Sequence, residues 1–270
     1  MNATEVVEGG DVLWLRERLF EIGTQEHPLL SSAVLASGKN VSFDPATGAV
    51  GGSALSGEAA HTLRGMLSRF SDEADALVRR VFPAYRERVS RGRASFRPID
   101  VAGRAASWRH DDTRLHIDSF PASPVQGQRI LRVFTNVNPE GRPRSWRIGE
   151  DFDGVARRFG PQLRLPVPGT ALMLRAFGVT KTRRSAYDAL MLQLHDAMKA
   201  DAAYQAGAAQ TAFDFPAGSS WIAFTDQVSH AAMAGQYQLE QTFLLPVGAM
   251  LDERRSPLRI LERLKGRPLI

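Results

Sequence analysis

The chain has 270 residues, 43% hydrophobic and 23% charged; these are the proportions of a globular protein, and they exclude collagen-like, low-complexity and wholly disordered classes. It contains no Cys, which removes disulfide scaffolds, thiolate zinc sites, iron–sulfur clusters and Cys nucleophiles and leaves His and carboxylate as the only metal ligands of choice. The formal net charge of +5 is uneven: residues 1–78 carry 5 basic and 11 acidic side chains, 79–147 carry 15 and 6, 148–251 carry 8 and 9, and 252–270 carry 6 and 3.

All 15 basic residues of the middle segment are Arg, whose planar fork suits carboxylate and phosphate better than a Lys point charge does. A solvated basic surface explains this excess, and so does an anionic ligand nearby. No helix-turn-helix or RNA-binding signature accompanies the charge, so no specific nucleic-acid partner is expected. The first residues carry no basic stretch followed by an apolar run, and about 18 consecutive apolar residues occur nowhere, so neither export nor a transmembrane segment is expected and the chain reads as cytoplasmic.

In chain order, apolar residues fall mostly on one helical face at 11–22 (Val12, Leu13, Leu15, Leu19, Phe20, Ile22), which predicts a helix. Residues 35–57 read as turns and short strands. A longer helical region runs from Gly57 to Ser90, with Leu63, Met66, Leu67, Phe70, Leu77, Val78, Val81, Phe82 and Tyr85 at three-to-four spacing and Pro83 kinking or dividing it. After residue 93 short β-like runs follow at 94–99, 114–117, 130–137, 171–177, 221–224 and 237–245, separated by turn clusters. One helix interrupts them at 184–204, and 251–270 reads as a short amphipathic basic helix. Strands following helices in this way predict a mainly β protein with a helical layer (α+β), a sandwich or barrel in a single domain. Its parts would be a helical N-terminal layer (1–92), a β core (93–250) and a basic C-terminal tail (251–270).

Among the six His, His116 and Asp118 form the sharpest local pair, because residues i and i+2 of a strand project to one face and can hold one ion. An HxD triplet alone is common. The distant partner is His230, where an apolar strand ends in a polar turn; it could equally end a strand with its ring bonded to a carbonyl. Two imidazoles and one carboxylate on one side of a ferrous ion form the facial triad of non-haem iron oxygenases, with positions left open. His110 reads as part of a polar loop leading to the site, His195 as packed or bonded to a neighbour, and Trp108, Trp146 and Trp221 as core or rim aromatics.

The strings HIDSFPASPVQGQRILRVFTNVNPEGRPRSWRIGEDF, YDALMLQLHDAMKADAAYQ and FPAGSSWIAFTDQVSHAAMAGQYQLEQTFLLP resemble the Kdo hydroxylases of Gram-negative bacteria over residues 93–250. That resemblance implies a double-stranded β-helix (jelly-roll, cupin-like) core. It also implies an iron(II)- and 2-oxoglutarate-dependent dioxygenase, using O2 as cosubstrate, that hydroxylates the 3-position of Kdo in the lipopolysaccharide inner core and yields succinate and CO2. His116, Asp118 and His230 would be the iron ligands and catalytic residues.

For 2-oxoglutarate, the stretch beyond the second His offers Gln241 and no basic residue, a departure from the superfamily's frequent anchor. A second arrangement uses a basic residue on the strand after HxD with a hydroxyl just before it, here Arg132 or Arg129 with Thr113. Arg132 is favoured because alternation places it with Phe134 and Asn136. Asn136 is a further candidate contact, although it could serve a turn, and Arg175 is a third cationic option. Kdo carries a carboxylate and its lipid A-linked form phosphates, so several of Arg91, Arg93, Arg97, Arg104, Arg109, Arg142, Arg144 and Arg147 are expected at the mouth of the site. The basic tail would cap the fold or lie on an anionic membrane surface. A 2-oxoglutarate oxygenase acting on another small or lipid-linked anion, or a non-catalytic jelly-roll binding protein, would share most of these features.

Overall fold

A computed structural model of the chain describes residues 2–104 and 106–270. In chain order its regular elements are α1 (Ala3–Glu8), β1 (Leu13–Leu15), β2 (Val41–Asp44), β3 (Ala49–Gly51), α2 (Gly57–Val81), β4 (Ser90–Arg97), β5 (Arg129–Asn136), β6 (Arg144–Gly149), α3 (Phe152–Phe159), α4 (Thr170–Ala176), α5 (Ala186–Ala200), α6 (Ala202–Gly207), β7 (Gln210–Phe215), β8 (Ser220–Phe224), β9 (His230–Ala234), β10 (Gln238–Leu245) and α7 (Pro257–Lys265). The strands form two antiparallel sheets, one ordered β1-β8-β5-β10-β4-β2-β3 and the other β7-β6-β9. An isolated bridge between His116 and His230 adds the chain around residue 116 to the outer side of β9.

The four central strands of the larger sheet, β8-β5-β10-β4, thus oppose a second layer of four, β7-β6-β9 and the residue-116 segment. This is the double-stranded β-helix expected from the sequence. The two layers close on each other at one end, where Phe134 and Trp221 of the larger sheet pack with Trp146 and Phe215 of the smaller. Phe215 stacks on Trp221 at 4.0 Å and 10°. At the other end they stay apart, and the gap is the cavity described below.

Alternation along each strand decides what it faces. In β5, Leu131 and Val133 turn outward into a core with Leu63, Met66, Leu67, Phe70, Ala74, Leu77 and Val78 of α2, while Arg132 and Phe134 turn inward and line the cavity. Covered on both faces and paired on both edges, β5 is buried along its whole length. The stripe on α2 has the spacing of one helix face, and burying each of its larger side chains is worth about 1.5–3 kcal/mol. The helix stops at Val81 because Phe82 precedes Pro83 and leaves the α region (φ −120°, ψ 74°), as the proline ring requires of its neighbour. A second apolar core lies behind the residue-116 segment. There Leu115 and Ile117 pack with Phe152, Val155 and Phe159 of α3, Leu190, Met191 and Leu194 of α5, and Leu258 and Leu261 of α7.

Several local expectations are corrected. Residues 11–22 do not form a helix: Leu13–Leu15 instead extend the larger sheet by pairing with β8, a tertiary gain that overrides helical periodicity. Together with β2 and β3 this makes the N-terminal 92 residues part of the sheet as well as of its helical cover. Residues 171–177 are not a strand but lie mostly within the short helix α4, preceded by Gly169 at φ +89°. The expected 184–204 helix divides at Asp201, whose side chain accepts a hydrogen bond from Tyr204 N and caps α6. The tail behaves as a cap: Leu258, Ile260, Leu261 and Leu269 are buried, and Lys265 Nζ donates to the carbonyls of Gly160 and Leu163 at 3.0 and 2.9 Å.

Candidate functional site

A cavity of about 400 Å³ opens between the sheets. At one corner His116, Asp118 and His230 each offer a ligand atom, all within 4.8 Å of one another. The residue-116 segment supplies the first two by period-two projection, and its backbone is fixed on both sides: His116 and His230 exchange N–H···O bonds of 3.0 and 2.9 Å, and Asp118 N donates to Thr225 O at 2.7 Å. Each imidazole donates Nδ1–H to a carbonyl two residues back, His116 to Arg114 at 2.7 Å and His230 to Val228 at 2.8 Å. That bond sets the tautomer and leaves Nε2 as the free lone pair. Trp146 stacks on the His230 ring at 5.0 Å and 19°.

The electrostatics keep these groups in their ligand forms. Burial first, then neighbouring positive charge including Lys199, pushes the His116 ring well below the usual imidazole range. Burial lowers His230 as well, against the pull of Asp118. Burial works to raise the Asp118 carboxyl, but the charge of Arg132 leads the interactions that overcome it and hold it far below the usual carboxylate range. Two neutral imidazoles and an ionised carboxylate converging without a lysine among them are the donor set that a ferrous ion takes. The set fits such an ion.

The adjoining wall is a chain of buried and half-buried charges. Arg132 donates to Asp118 at 2.8 Å and pairs with Glu240 at 2.7 Å; Arg97 pairs with Glu240 at 3.1 Å and with Asp112 at 3.3 Å; Arg104 and Lys39 hold Asp112 at 2.9 and 2.7 Å. Ser95 Oγ donates to Glu240 as well, at 3.0 Å. Burial alone would raise the Glu240 carboxyl, yet Arg132 and Arg97 hold it down at about 2. Arg144 stands apart. It is 2% exposed, lines the cavity and makes no ion pair among the described residues. Its Nη1 donates to Gly235 O at 2.6 Å and its Nε has no partner. Burial, then the like charge of Arg97, pushes its guanidinium down to about 10. Gly235 (φ +109°) permits this placement, since a Cβ there would meet Arg144 Cα at 3.0 Å and Pro143 O at 2.8 Å. Trp146 Nε1 and Arg132 Nε, on two other lining residues, are also buried donors without partners. A buried guanidinium without a counter-ion and a ring of unused donors call for an anion rich in acceptors.

Of the sequence candidates, His116, Asp118, His230 and Arg132 come together, and five others do not. Arg129 lies on the outward face of β5, ion-paired with Asp226 at 2.8 Å over the Phe224 ring. Gln241 is out of phase with the cavity-lining Gln238 and Glu240, and its amide donates to the carbonyls of Gly92 and Thr242. Asn136 shares the inward phase but sits at the strand end, where it donates to Arg142 O and Phe215 O and builds the turn. Thr113 Oγ1 donates to Asp111 at 2.7 Å. Arg175 is exposed on α4. Of the eight arginines expected at the mouth, Arg97, Arg109 and Arg144 line the cavity and Arg104 reaches it through Asp112. Arg91, Arg93 and Arg142 turn to Asp72, Asp44 and Glu140, and Arg147 to Thr113 O.

Two cavity residues escaped the sequence reading in the form they take. Arg144 was expected at the mouth and lies instead deep beside Trp146, with which it shares a face of β6; the alternation in RSWRIG carries that signal. His195 bonds Asp196 at 2.9 Å as expected, but it also lines the cavity, edge-on to His116 at 5.5 Å.

Comparison with known proteins agrees with this geometry. A family model described as 3-deoxy-D-manno-oct-2-ulosonic acid (Kdo) hydroxylase matches residues 1–268. A crystal structure of the Kdo hydroxylase KdoO, a non-haem Fe(II) α-ketoglutarate-dependent dioxygenase, in complex with α-ketoglutarate and Fe(III), is 46% identical, with 99% of this chain and 90% of that one covered and a TM-score of 0.96. Its complex with cobalt(II) gives 46%, 99%, 90% and 0.97, and its complex with succinate and Fe(III) gives 46%, 99%, 90% and 0.95. No curated protein matches.

Proposed function

The chain belongs to the Kdo hydroxylase family and is an iron(II)- and 2-oxoglutarate-dependent dioxygenase, and from that premise we propose that it hydroxylates carbon 3 of a Kdo residue borne on lipid A, through the cavity between its sheets. The observation that carries the reading is one cavity with two unlike groups in its lining: a His-Asp-His corner of two neutral imidazoles and one carboxylate, and a buried arginine that lacks a counter-ion among the described residues. His116, Asp118 and His230 would hold the iron, which when bound supplies the oxidising chemistry by which 2-oxoglutarate and O2 become succinate, CO2 and a hydroxyl group on the sugar.

The protein's own part is positioning and electrostatics. The carbonyls of Arg114 and Val228 fix the two imidazoles in the tautomer that presents Nε2. Arg132, bonded to Asp118, keeps that carboxylate ionised and oriented. Arg144, with Arg132 and the Trp146 indole N–H, would take the 2-oxoglutarate carboxylate distant from the iron, where a desolvated charge pair is worth far more than in water. Glu240 offsets Arg97 and Arg132, so the wall accepts one dianion rather than repelling itself apart. On the open side Arg109, over the buried Lys199 whose Nζ donates to its carbonyl at 3.0 Å, would face the acceptor sugar's carboxylate, and Trp146 and Phe134 exclude water from the floor.

Among the described residues no helix is long and apolar enough to cross a membrane; for its site of action we read the chain as a cytoplasmic enzyme that meets its acceptor at the membrane surface. The test is incubation with iron(II), 2-oxoglutarate and Kdo-lipid acceptors, with mass spectrometry of the sugar. A gain of one oxygen on Kdo, matched by succinate, is expected. Succinate release without that gain would leave the oxygenase standing and overturn the acceptor.

A further inference from the structure

Six of the nine exposed large apolar side chains among the described residues fall in one stretch: Leu165, Val167, Leu172, Met173, Phe177 and Val179, with Phe177 78% and Val167 73% exposed. The stretch is a projecting tip built on α4 and closed on itself, with Phe177 N donating to Met173 O at 2.9 Å and Val179 N to Leu174 O at 2.9 Å. It is anchored at both ends by buried residues, Leu163 and Thr180. Its base adjoins the cavity mouth: Lys181 N donates to Ala122 O at 2.9 Å, and Arg184 Nη2 donates to the carbonyl of Pro121 at 2.7 Å. Pro121 itself lines the cavity.

Charge identifies what would cover these side chains. Residues 154–187 carry seven basic and no acidic side chains. Arg164, Arg175, Lys181, Arg183 and Arg184 make no ion pair among the described residues. A second copy of this face would set five cations against five, which disfavours self-association. Apolar side chains at a tip with cations flanking its base are instead the pattern of an interfacial anchor, which sinks the former among acyl chains and leaves the latter among phosphates. The basic C-terminal helix α7 lacks this pattern, because its apolar face is already buried in the second core and Arg259 is paired with Glu253 and Glu262.

We propose that the 163–184 tip is a membrane-docking element that inserts Leu172, Met173 and Phe177 into an anionic lipid surface and so sets the cavity mouth against that surface. The proposal deepens the reading of the acceptor as lipid-linked and rests on it for its purpose. The full-length protein is expected to sediment with vesicles of phosphatidylethanolamine and phosphatidylglycerol and not with phosphatidylcholine alone. The double variant Leu172→Ser/Phe177→Ser should bind them about tenfold more weakly and unfold at an unchanged temperature, since both side chains are exposed. It should hydroxylate a deacylated, water-soluble Kdo acceptor at the wild-type rate while losing about tenfold on the vesicle-embedded one. A Phe177→Trp variant should shift its emission to the blue on vesicle addition.

Wild-type protein that ignores anionic vesicles overturns the proposal, and so does a double variant that binds them unchanged. Loss of binding in Arg175→Glu with none in the double variant overturns insertion in favour of an acidic partner surface. Failure of wild type on every Kdo acceptor, with vesicle binding behaving as above, sinks the acceptor reading and leaves the docking element in place.

Discussion

The two walls of the cavity solve opposite electrostatic problems. At the His-Asp-His corner the backbone sets the geometry: each imidazole is oriented by a carbonyl two residues before it in the chain, and burial keeps the rings neutral. At the arginine wall side chains hold side chains, drawn from four strands and two loops, and the alternation Asp118–Arg132–Glu240–Arg97–Asp112 neutralises every buried guanidinium but Arg144. The corner is therefore legible as a local word, and the wall only as a register. The corner should also be brittle to loss of a ligand, whereas the wall should respond by degrees.

Breaking the corner gives the largest effect. His116→Ala should abolish both iron(II) binding and sugar hydroxylation with little change in folding; full turnover by that variant would falsify the ligand assignment. Within the wall, Glu240→Gln removes the carboxylate shared by Arg97 and Arg132 and leaves two buried cations short of a partner. A loss of about 3 kcal/mol is expected in denaturant unfolding, toward the low end for a broken buried pair because Asp112 and Asp118 still engage the two arginines.

The same carboxylate gives a pH signature. Its folded-state pKa of about 2 lies below the ordinary 4.5, so its contribution is fully present above that ordinary value and is lost as pH falls from there toward 2. Asp112 and Asp118 are held lower still and extend the loss in the same direction. Thermal unfolding followed from neutral to acid pH should show stability falling through this window, with a shallower fall in Glu240→Gln. The smallest effect sharpens the boundary between inside and outside: Gln241→Leu, on the outward phase of β10, should leave the KM for 2-oxoglutarate unchanged within about twofold, since a surface or outward-facing change away from the site moves stability more than function.

How much of this was legible follows from where each signal resides. HxD and the distant His are read from period-two projection and a strand end, a sandwich or barrel from short strands behind a helical layer, and the jelly roll from the family resemblance. Arg132 was separated from Arg129 by alternation alone. Gln241 faces away because the phase of β10 is set by its register with β4 and β5, which brings Gln238 and Glu240 inward. Asn136 had the right phase and the wrong depth. Alternation in RSWRIG puts Arg144 on the face of Trp146, but its depth is not written locally; it comes from the close approach of Gly235, just past the end of β9. Residues 11–22 and 171–177 depart from the elements expected of them because short apolar runs are decided by what they meet. The first found an open sheet edge at β8, and the second found no strand to pair with and closed into a helical tip.

The division of labour between the walls is tested most directly by titrating 2-oxoglutarate into anaerobic, iron(II)-loaded wild type and Arg144→Met and measuring heat. Arg144→Met should bind iron(II) as wild type does and bind 2-oxoglutarate about a hundredfold more weakly, the loss of one desolvated charge pair at about 3 kcal/mol. Unchanged 2-oxoglutarate affinity in Arg144→Met, or iron binding lost along with it, would contradict the separate roles assigned to the corner and the wall.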